Sequence, residues 1–246
     1  SVPGCVSGWE ELHKKFGKMK LADILAPTID YAENGFPVSE VIADGWRGAE
    51  KNIKKIPSTA WTYLPHGKAP RAGEVFTNPG LAKVYREIAS GGAPAFYKGR
   101  IAKEIVAYSD KEGGLFTLKD FEDHTSTWVE PVSVTYRGYQ VWELPPNGQG
   151  IAVLEMLNLL SAYDLKKLGP TSADYWHLFL EAKKLAYADR ARFYADPDFA
   201  KLPTEELISM PYADTRRKLI DMDHARTDHP AGDPKLGKAD TIYLCV

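Results

Sequence analysis

The chain has almost no cysteine: two in 246 residues, Cys5 and Cys245. That excludes a disulfide framework, and with it the cysteine-rich metal centres whose ligands come in close-spaced pairs. The two are read as small buried hydrophobes, with one long-range bridge between them as the remaining alternative. Histidine is also sparse, at six. His224 and His229 stand five apart in a polar stretch, off the i, i+4 spacing by which one helix presents two metal ligands. Together with Asp221, Asp223 and Asp228 they are read as solvated loop residues, and no metal is expected. No apolar run reaches the roughly 18 residues of a membrane span. The opening residues lack the charged-then-apolar pattern of a targeting segment, so the compartment is unknown. Lys and Arg (31) nearly balance Asp and Glu (33), a net charge of −2. Without a basic tract there is no electrostatic footprint for nucleic acid. Glycine-rich phosphate loops are missing too. Pro146-Asn-Gly-Gln-Gly150 stands before a helix but lacks their spacing, and it reads as an ordinary loop. No cofactor is expected.

What is present is an ordinary globular balance, 44% apolar and 26% charged residues, in a chain long enough to bury a sizeable core. Ser7 and Glu10 suggest a capping box opening a helix over 7–17. A second helical stripe covers 21–33, where Pro27 should kink or split the helix and Gly35 marks its stop. Ser39 opens a helix to about 56, and the proline- and glycine-rich stretch 57–77 reads as loop. Asn78-Pro79 is an N-cap followed by proline at the first helical position, for a helix that Gly91-Gly92 ends. Further helices are expected over 93–112, 150–162, 172–194 and 212–220, with a helical turn starting at Thr117. Between them, alternation around Arg137-Gly138 predicts a hairpin over 131–144. Residues 221–240 are rich in ionisable side chains, proline and glycine and almost free of bulky apolar ones, the composition of a flexible linker. Residues 241–246 then read as a strand with apolar side chains on both faces. The residues by themselves define a mostly helical α+β protein with one hairpin and one late strand.

Several segments resemble the gamma-glutamyltranspeptidase family. Val2-Pro-Gly-Cys-Val-Ser-Gly-Trp9 is similar to its V-P-G-x-V-x-G-[FW] stretch. Tyr31-Ala-Glu-Asn-Gly-Phe-Pro-Val38 resembles A-E-x-G-F-x-V, and Ile88 to Gly99 resembles I-A-x-G-x-x-x-F-Y-x-G. Pro131 to Pro146 is similar to the family's Y-R-G-Y hairpin. Ala188-Asp-Arg190 with Asp196-Pro-Asp-Phe199 resembles A-D-R…D-P-D-F. These stretches run in family order over almost the whole chain. Asp189, Arg190 and Asp196 are read as a buried hydrogen-bonded network and not as catalysts. The resemblance implies a predominantly helical piece of an N-terminal-nucleophile (αββα) hydrolase. Residues 1–240 would be the large-subunit portion, and 241–246 the start of a core strand of the small subunit.

The chemistry the resemblance implies rests on Thr241. Asp240-Thr-Ile-Tyr-Leu-Cys-Val246 is similar to the junction at which family precursors are cut just before a threonine, which then becomes the nucleophile. Its freed α-amine, with a reference pKa near 8, serves as base for its own hydroxyl. The family's substrate-gripping residues and oxyanion donors come from an N-terminal segment and from the small subunit, both expected outside these 246 residues, so the isolated chain is expected to be inactive. The implied partners are those two segments, a small gamma-glutamyl donor such as glutathione, and water or an amine or peptide acceptor. Two alternatives stand beside this reading: an acylase of the same family acting on glutaryl or cephalosporin-type amides, and a helical interaction module that kept the fold without the chemistry.

Overall fold

A computed structural model describes residues 1–234. Of the described residues, 57% are helical and two small antiparallel sheets form, and the chain divides into two units, Ser1–Thr127 and the part from Trp128 onward.

In the first unit, helix α1 (Cys5–Phe16) starts earlier than expected, at Gly4, and no side chain caps it. The residues read as its capping box are used over longer range. The Ser7 hydroxyl meets the Ser126 hydroxyl at 2.7 Å, and the Glu10 carboxylate accepts the amide of Ala93 at 3.1 Å. Cys5 is exposed, not buried. Helix α2 (Leu21–Asn34) continues through Pro27. The proline forgoes one backbone hydrogen bond, while Leu25 and Ala32 stay buried on either side of it. Gly35, with φ of 87°, ends the helix.

A two-residue ladder that periodicity did not reveal follows: β1 (Phe36–Pro37) pairs with β2 (Val75–Phe76). Between them run α3 (Glu40–Ile53) and α4 (Pro57–Tyr63). The stretch read as loop is therefore partly helical, because Pro57 occupies the first helical position, where its missing N–H costs nothing. Helix α5 (Pro79–Tyr97) is capped by Asn78, whose side chain accepts the Leu81 amide at 3.0 Å. It breaks at Gly92, where φ is 62°. That break frees the Ala93 amide that Glu10 accepts, so Glu10 caps a helix distant in sequence instead of its own.

The helix expected over 93–112 is divided at Gly99, and α6 covers Arg100–Lys111. A β-carbon at residue 99 would lie 2.4 Å from the Ala95 carbonyl oxygen. Thr117 and Asp120 form a true capping box for α7 (Leu118–Glu122). Leu25, Ile88, Tyr97, Ile101 and Phe121 fill this unit's core. The Tyr97 hydroxyl, buried among them, donates to the Pro3 carbonyl at 2.6 Å and accepts the Ser7 amide at 3.2 Å.

The second unit opens with the expected hairpin. Strand β3 (Val132–Tyr136) pairs with β4 (Tyr139–Glu143), with Val134 opposite Val141. Arg137 and Gly138 both have positive φ, 51° and 86°, as a two-residue turn matching strand twist requires. Helix α8 (Gly150–Leu160) packs against the hairpin, α10 (Ala173–Phe193) and α12 (Met210–Arg217), with the short α9 (Leu165–Leu168) and α11 (Thr204–Leu207) as connectors. Arg217 donates to the carbonyls of Leu159 and Asn158 at 2.9 and 2.8 Å, satisfying the C-terminal end of α8. The expected strand 241–246 lies outside the described residues, and among those residues no helix is long and apolar enough to cross a membrane.

Leu178 on α10 is fully buried between α8 and α12. In the full-length protein, Leu178→Ala should cost about 3 kcal/mol in urea unfolding, through lost transfer energy and a residual cavity. Leu178→Met, which keeps the volume, should cost less than about 1.5 kcal/mol. Equal losses would mean that the site is not close-packed.

Candidate functional site

Helix α10 begins at Ser172, whose hydroxyl accepts the Tyr175 amide at 3.1 Å. Its buried face carries Leu178, Glu181, Ala182, Leu185, Ala186 and Asp189. These positions recur at helical spacing, so two acids stand on an otherwise apolar stripe. They are eight residues apart, about 12 Å along the axis. Both are fully buried. A carboxylate in such a place must be paired or hydrogen-bonded on every side to be tolerated.

Asp189 meets that demand through three donors. Its Oδ2 accepts the Tyr212 hydroxyl at 2.9 Å and Arg216 Nε at 3.1 Å, both from α12. Its Oδ1 accepts the Gly232 amide at 2.7 Å. Arg216 also donates to the carbonyls of Leu185 and Pro230, at 3.3 and 2.8 Å. Glu181 is filled in the same manner. Lys184 Nζ and the Arg226 amide donate to its Oε1 at 2.6 and 3.2 Å. His229 Nε2 lies 2.6 Å from its Oε2, and Lys184 Nζ also bonds the Arg226 carbonyl. The irregular stretch 224–234 is thus held along α10 by two buried acids. His229 has no exposed side-chain surface, so its reading as a solvated residue is corrected. Local composition marks the residue as loop but does not reveal a partner 48 positions away.

A third acid, Glu155 on α8, accepts the Tyr194 hydroxyl at 2.7 Å. Burial pushes its carboxyl up to about 8, with the nearby Asp189 charge adding to the shift and the Tyr194 bond opposing it. Burial also raises Asp189, against the opposing pull of the Gly232 amide, Arg216 and Tyr212. Burial pushes Glu181 up as well, but the hydrogen bonds from Lys184, His229 and the Arg226 amide outweigh it and leave this carboxyl below its ordinary value. Both phenols are raised, Tyr194 and Tyr212 alike, by burial first and then by the carboxylate beside each.

Of the residues read as a buried network, Asp189 is in one. Arg190 instead lies over the Tyr187 ring, and the exposed Asp196 accepts the Asp198 amide at 3.0 Å in a turn. Glu155, Glu181 and Arg216 are members that sequence reasoning missed. For Glu181 the available signal was an acid at a core-facing position of an apolar helix stripe. Thr241 and Asp240, on which the chemistry was placed, lie outside the described residues. Among the described residues, no group of three or more metal-binding side chains comes together.

The mostly helical fold with two small antiparallel sheets among the described residues matches solved structures of hydrolases of the N-terminal-nucleophile class. The gamma-glutamyltranspeptidase family model matches residues 1–246, and the chain belongs to that family. It is 43% identical, over its full length, to the glutathione hydrolase-like YwrD proenzyme of Bacillus subtilis (strain 168) and covers 46% of that protein, so it spans about half the length of such relatives. Among solved structures, gamma-glutamyltranspeptidase from Helicobacter pylori superposes with a TM-score of 0.84 at 31% identity, over 98% of this chain and 69% of that one. Cephalosporin acylase from Bacillus halodurans matches equally well in shape, TM-score 0.84, at 40% identity over 95% of this chain and 44% of that one.

Glu155 gives a pH test. Its folded pKa, about 8, lies above the ordinary 4.5, so the native state holds the proton more tightly than the unfolded chain. Its contribution to stability is therefore fully present below about pH 4.5 and is lost as pH rises through about 8. Glu155→Gln keeps an acceptor for Tyr194 and removes the titration. Thermal melts of the full-length protein should show a flatter decline over that window and a higher melting temperature than the parent at pH 8–9. Parallel curves would place the titration elsewhere.

Proposed function

We propose that the full-length protein containing this chain is a self-processing threonine-nucleophile acyl transferase and hydrolase acting on gamma-glutamyl amides such as glutathione. The observation that carries this reading is the family match running through residue 246, which takes in the Asp240-Thr241 junction. The relative most informative by name, from Bacillus subtilis, is called a glutathione hydrolase-like proenzyme.

In the precursor, Thr241 Oγ attacks the Asp240 carbonyl carbon. The Asp240 acyl group passes from nitrogen to oxygen, the C–N bond breaks, and the hydroxyl proton ends on the departing amine. Water then cleaves the ester, leaving an Asp240 carboxylate and a Thr241 with both its hydroxyl and a free α-amine. With a reference pKa near 8, that amine is partly unprotonated at neutral pH and takes the hydroxyl proton as Thr241 attacks a donor amide. The resulting acyl-enzyme passes its acyl group to water or to an amine acceptor. Oxyanion donors and the groups gripping the donor's charges come from segments beyond these 246 residues. The isolated chain, with its nucleophile inside a peptide bond, is therefore inactive.

Mass measurement of the full-length protein should find two fragments split before Thr241, and Thr241→Ala should stay intact and inactive. Splitting of that variant at the parent rate would overturn the assignment.

A second reading, acylase activity on glutaryl or cephalosporin-type amides, is favoured by the higher identity to cephalosporin acylase, 40% against 31% for the Helicobacter pylori enzyme. In sequence Thr241 is followed by Ile242 and Tyr243, where the resemblance sets the threonine and histidine of glutathione-cleaving members. The two readings separate on a pair of anilides, gamma-glutamyl and glutaryl, which differ only in the α-amino group. The mature enzyme should prefer the gamma-glutamyl compound, because carboxylates built to hold that ammonium are left unpaired by the other. Preference for the glutaryl anilide would establish the acylase.

A further inference from the structure

The inner face of α10 holds the apolar stripe and its two buried acids. The outer face carries Trp176, Leu180, Lys183, Tyr187 and Arg190, spaced by four, three, four and three residues. At 3.6 residues per turn these fall within about 80° of the helix circumference, in one row roughly 21 Å long. Trp176, Leu180 and Tyr187 are large side chains left open to water, 50%, 47% and 41% exposed. Scattered singly, such residues need no explanation. In one row at heptad spacing they form a seam that packs against a second helix. We infer that the outer face of α10 is a docking surface for an acidic amphipathic helix of another protein. Its apolar side chains would meet Leu180 and Tyr187, and its carboxylates Lys183 and Arg190.

The charge of the partner follows from what the seam contains. Both of its charged residues are cations. The three acids of α10, Asp174, Glu181 and Asp189, stand at least about 140° round the helix from Trp176. Among the described residues neither Lys183 nor Arg190 pairs with a carboxylate. Both lie instead over the Tyr187 ring, Lys183 Nζ 5.2 Å and the Arg190 guanidinium carbon 5.4 Å from its centre. One ring thus gathers two like charges, and an incoming carboxylate relieves their repulsion. Trp176 is held as well, its ring meeting those of Tyr175 and Phe179 edge-on at 5.5 and 5.7 Å. A ring already held loses little freedom on binding, which suits Trp176 and Tyr187 as anchors.

Other occupants fit this face less well. A second copy related by a two-fold axis would bring Lys183, the middle of the seam, against its own counterpart, and like charges there oppose association. An anionic membrane surface takes up apolar side chains on one face of a helix and cations on the other. Here Lys183 stands between Leu180 and Tyr187 in the row itself, so sinking the rings among acyl chains would draw an ammonium toward them at a desolvation cost. A helix with alternating apolar and acidic side chains meets every member of the row.

The test uses the full-length protein and two labelled synthetic helical peptides of about 18 residues, enough to span the seam. Both carry leucines at heptad spacing. They differ only at the two charged positions of the leucine row, glutamate in one and lysine in the other. Fluorescence anisotropy should show saturable binding of the glutamate peptide and at least about tenfold weaker binding of the lysine peptide. Trp176→Ala and Tyr187→Ala should each weaken the glutamate peptide about tenfold or more while the melting temperature stays close to the parent's. Lys183→Glu combined with Arg190→Glu should reverse the preference between the peptides, which neither general stickiness nor a damaged fold would do. No saturable binding of the glutamate peptide, or equal binding of the two, would overturn the inference. So would a double variant that keeps the parent's preference. Sedimentation of the parent with phosphatidylserine-containing vesicles, abolished by Trp176→Ala, would give the face to a membrane surface and overturn it too.

Discussion

The interaction on which the second unit depends is the buried pair of Asp189 and Arg216, 3.1 Å apart and almost fully out of water. Such a pair contributes little net stability, since desolvating both groups costs about what their attraction returns. What it contributes is selectivity. Removing one partner strands a charge, so few other arrangements of these elements are tolerable. Asp189 is anchored on α10, Arg216 on α12, and the remaining donors come from the Tyr212 hydroxyl and the Gly232 amide. Around this pair the apolar contacts of Leu178, Leu185 and Ala213 supply most of the driving force, while the ion pair fixes which surfaces meet.

Local sequence carried the parts of the fold that local physics decides. The Arg137-Gly138 turn, the Asn78-Pro79 start, the Ser172 cap and the apolar faces of α2, α8 and α10 each follow from dihedral preference, a missing or satisfied N–H, or side-chain periodicity. The parts that did not show through depend on partners distant in sequence. Ser7 and Glu10 have the spacing of a capping box, but their hydrogen bonds run to Ser126 and Ala93. The β1–β2 ladder is two residues long, too short for any period to register. His229 lies in a segment of linker composition, and only the acid it meets on α10 takes it out of water.

The candidate site was legible in a different way. Family motifs picked out the stretch containing Asp189 correctly, because a motif records which residues recur and not what each one touches. The same motif includes Arg190 and Asp196, which lie outside the buried network. Glu155, Glu181 and Arg216 stood out in no motif, although their burial makes them as constrained as Asp189. Their signature was the conflict between a charged side chain and a core-facing helical position. Periodicity can detect that conflict if the exceptions on an apolar stripe are examined and not averaged away.

This arrangement bears on how a segment of linker composition can be held without a hydrophobic anchor. An apolar side chain inserted from residues 226–232 would join the core shared by α8, α10 and α12, and those residues could leave only by exposing that core to water. Hydrogen bonds from backbone amides and one histidine to carboxylates already inside the core work otherwise. Two of the three donors that residues 226–232 give these acids are main-chain amides that water can satisfy, and without them Asp189 keeps Arg216 and Tyr212 while Glu181 keeps Lys184. The helices therefore depend less on residues 226–232 than they would on an apolar anchor there. The two acids on one face of α10 are what make this polar attachment available.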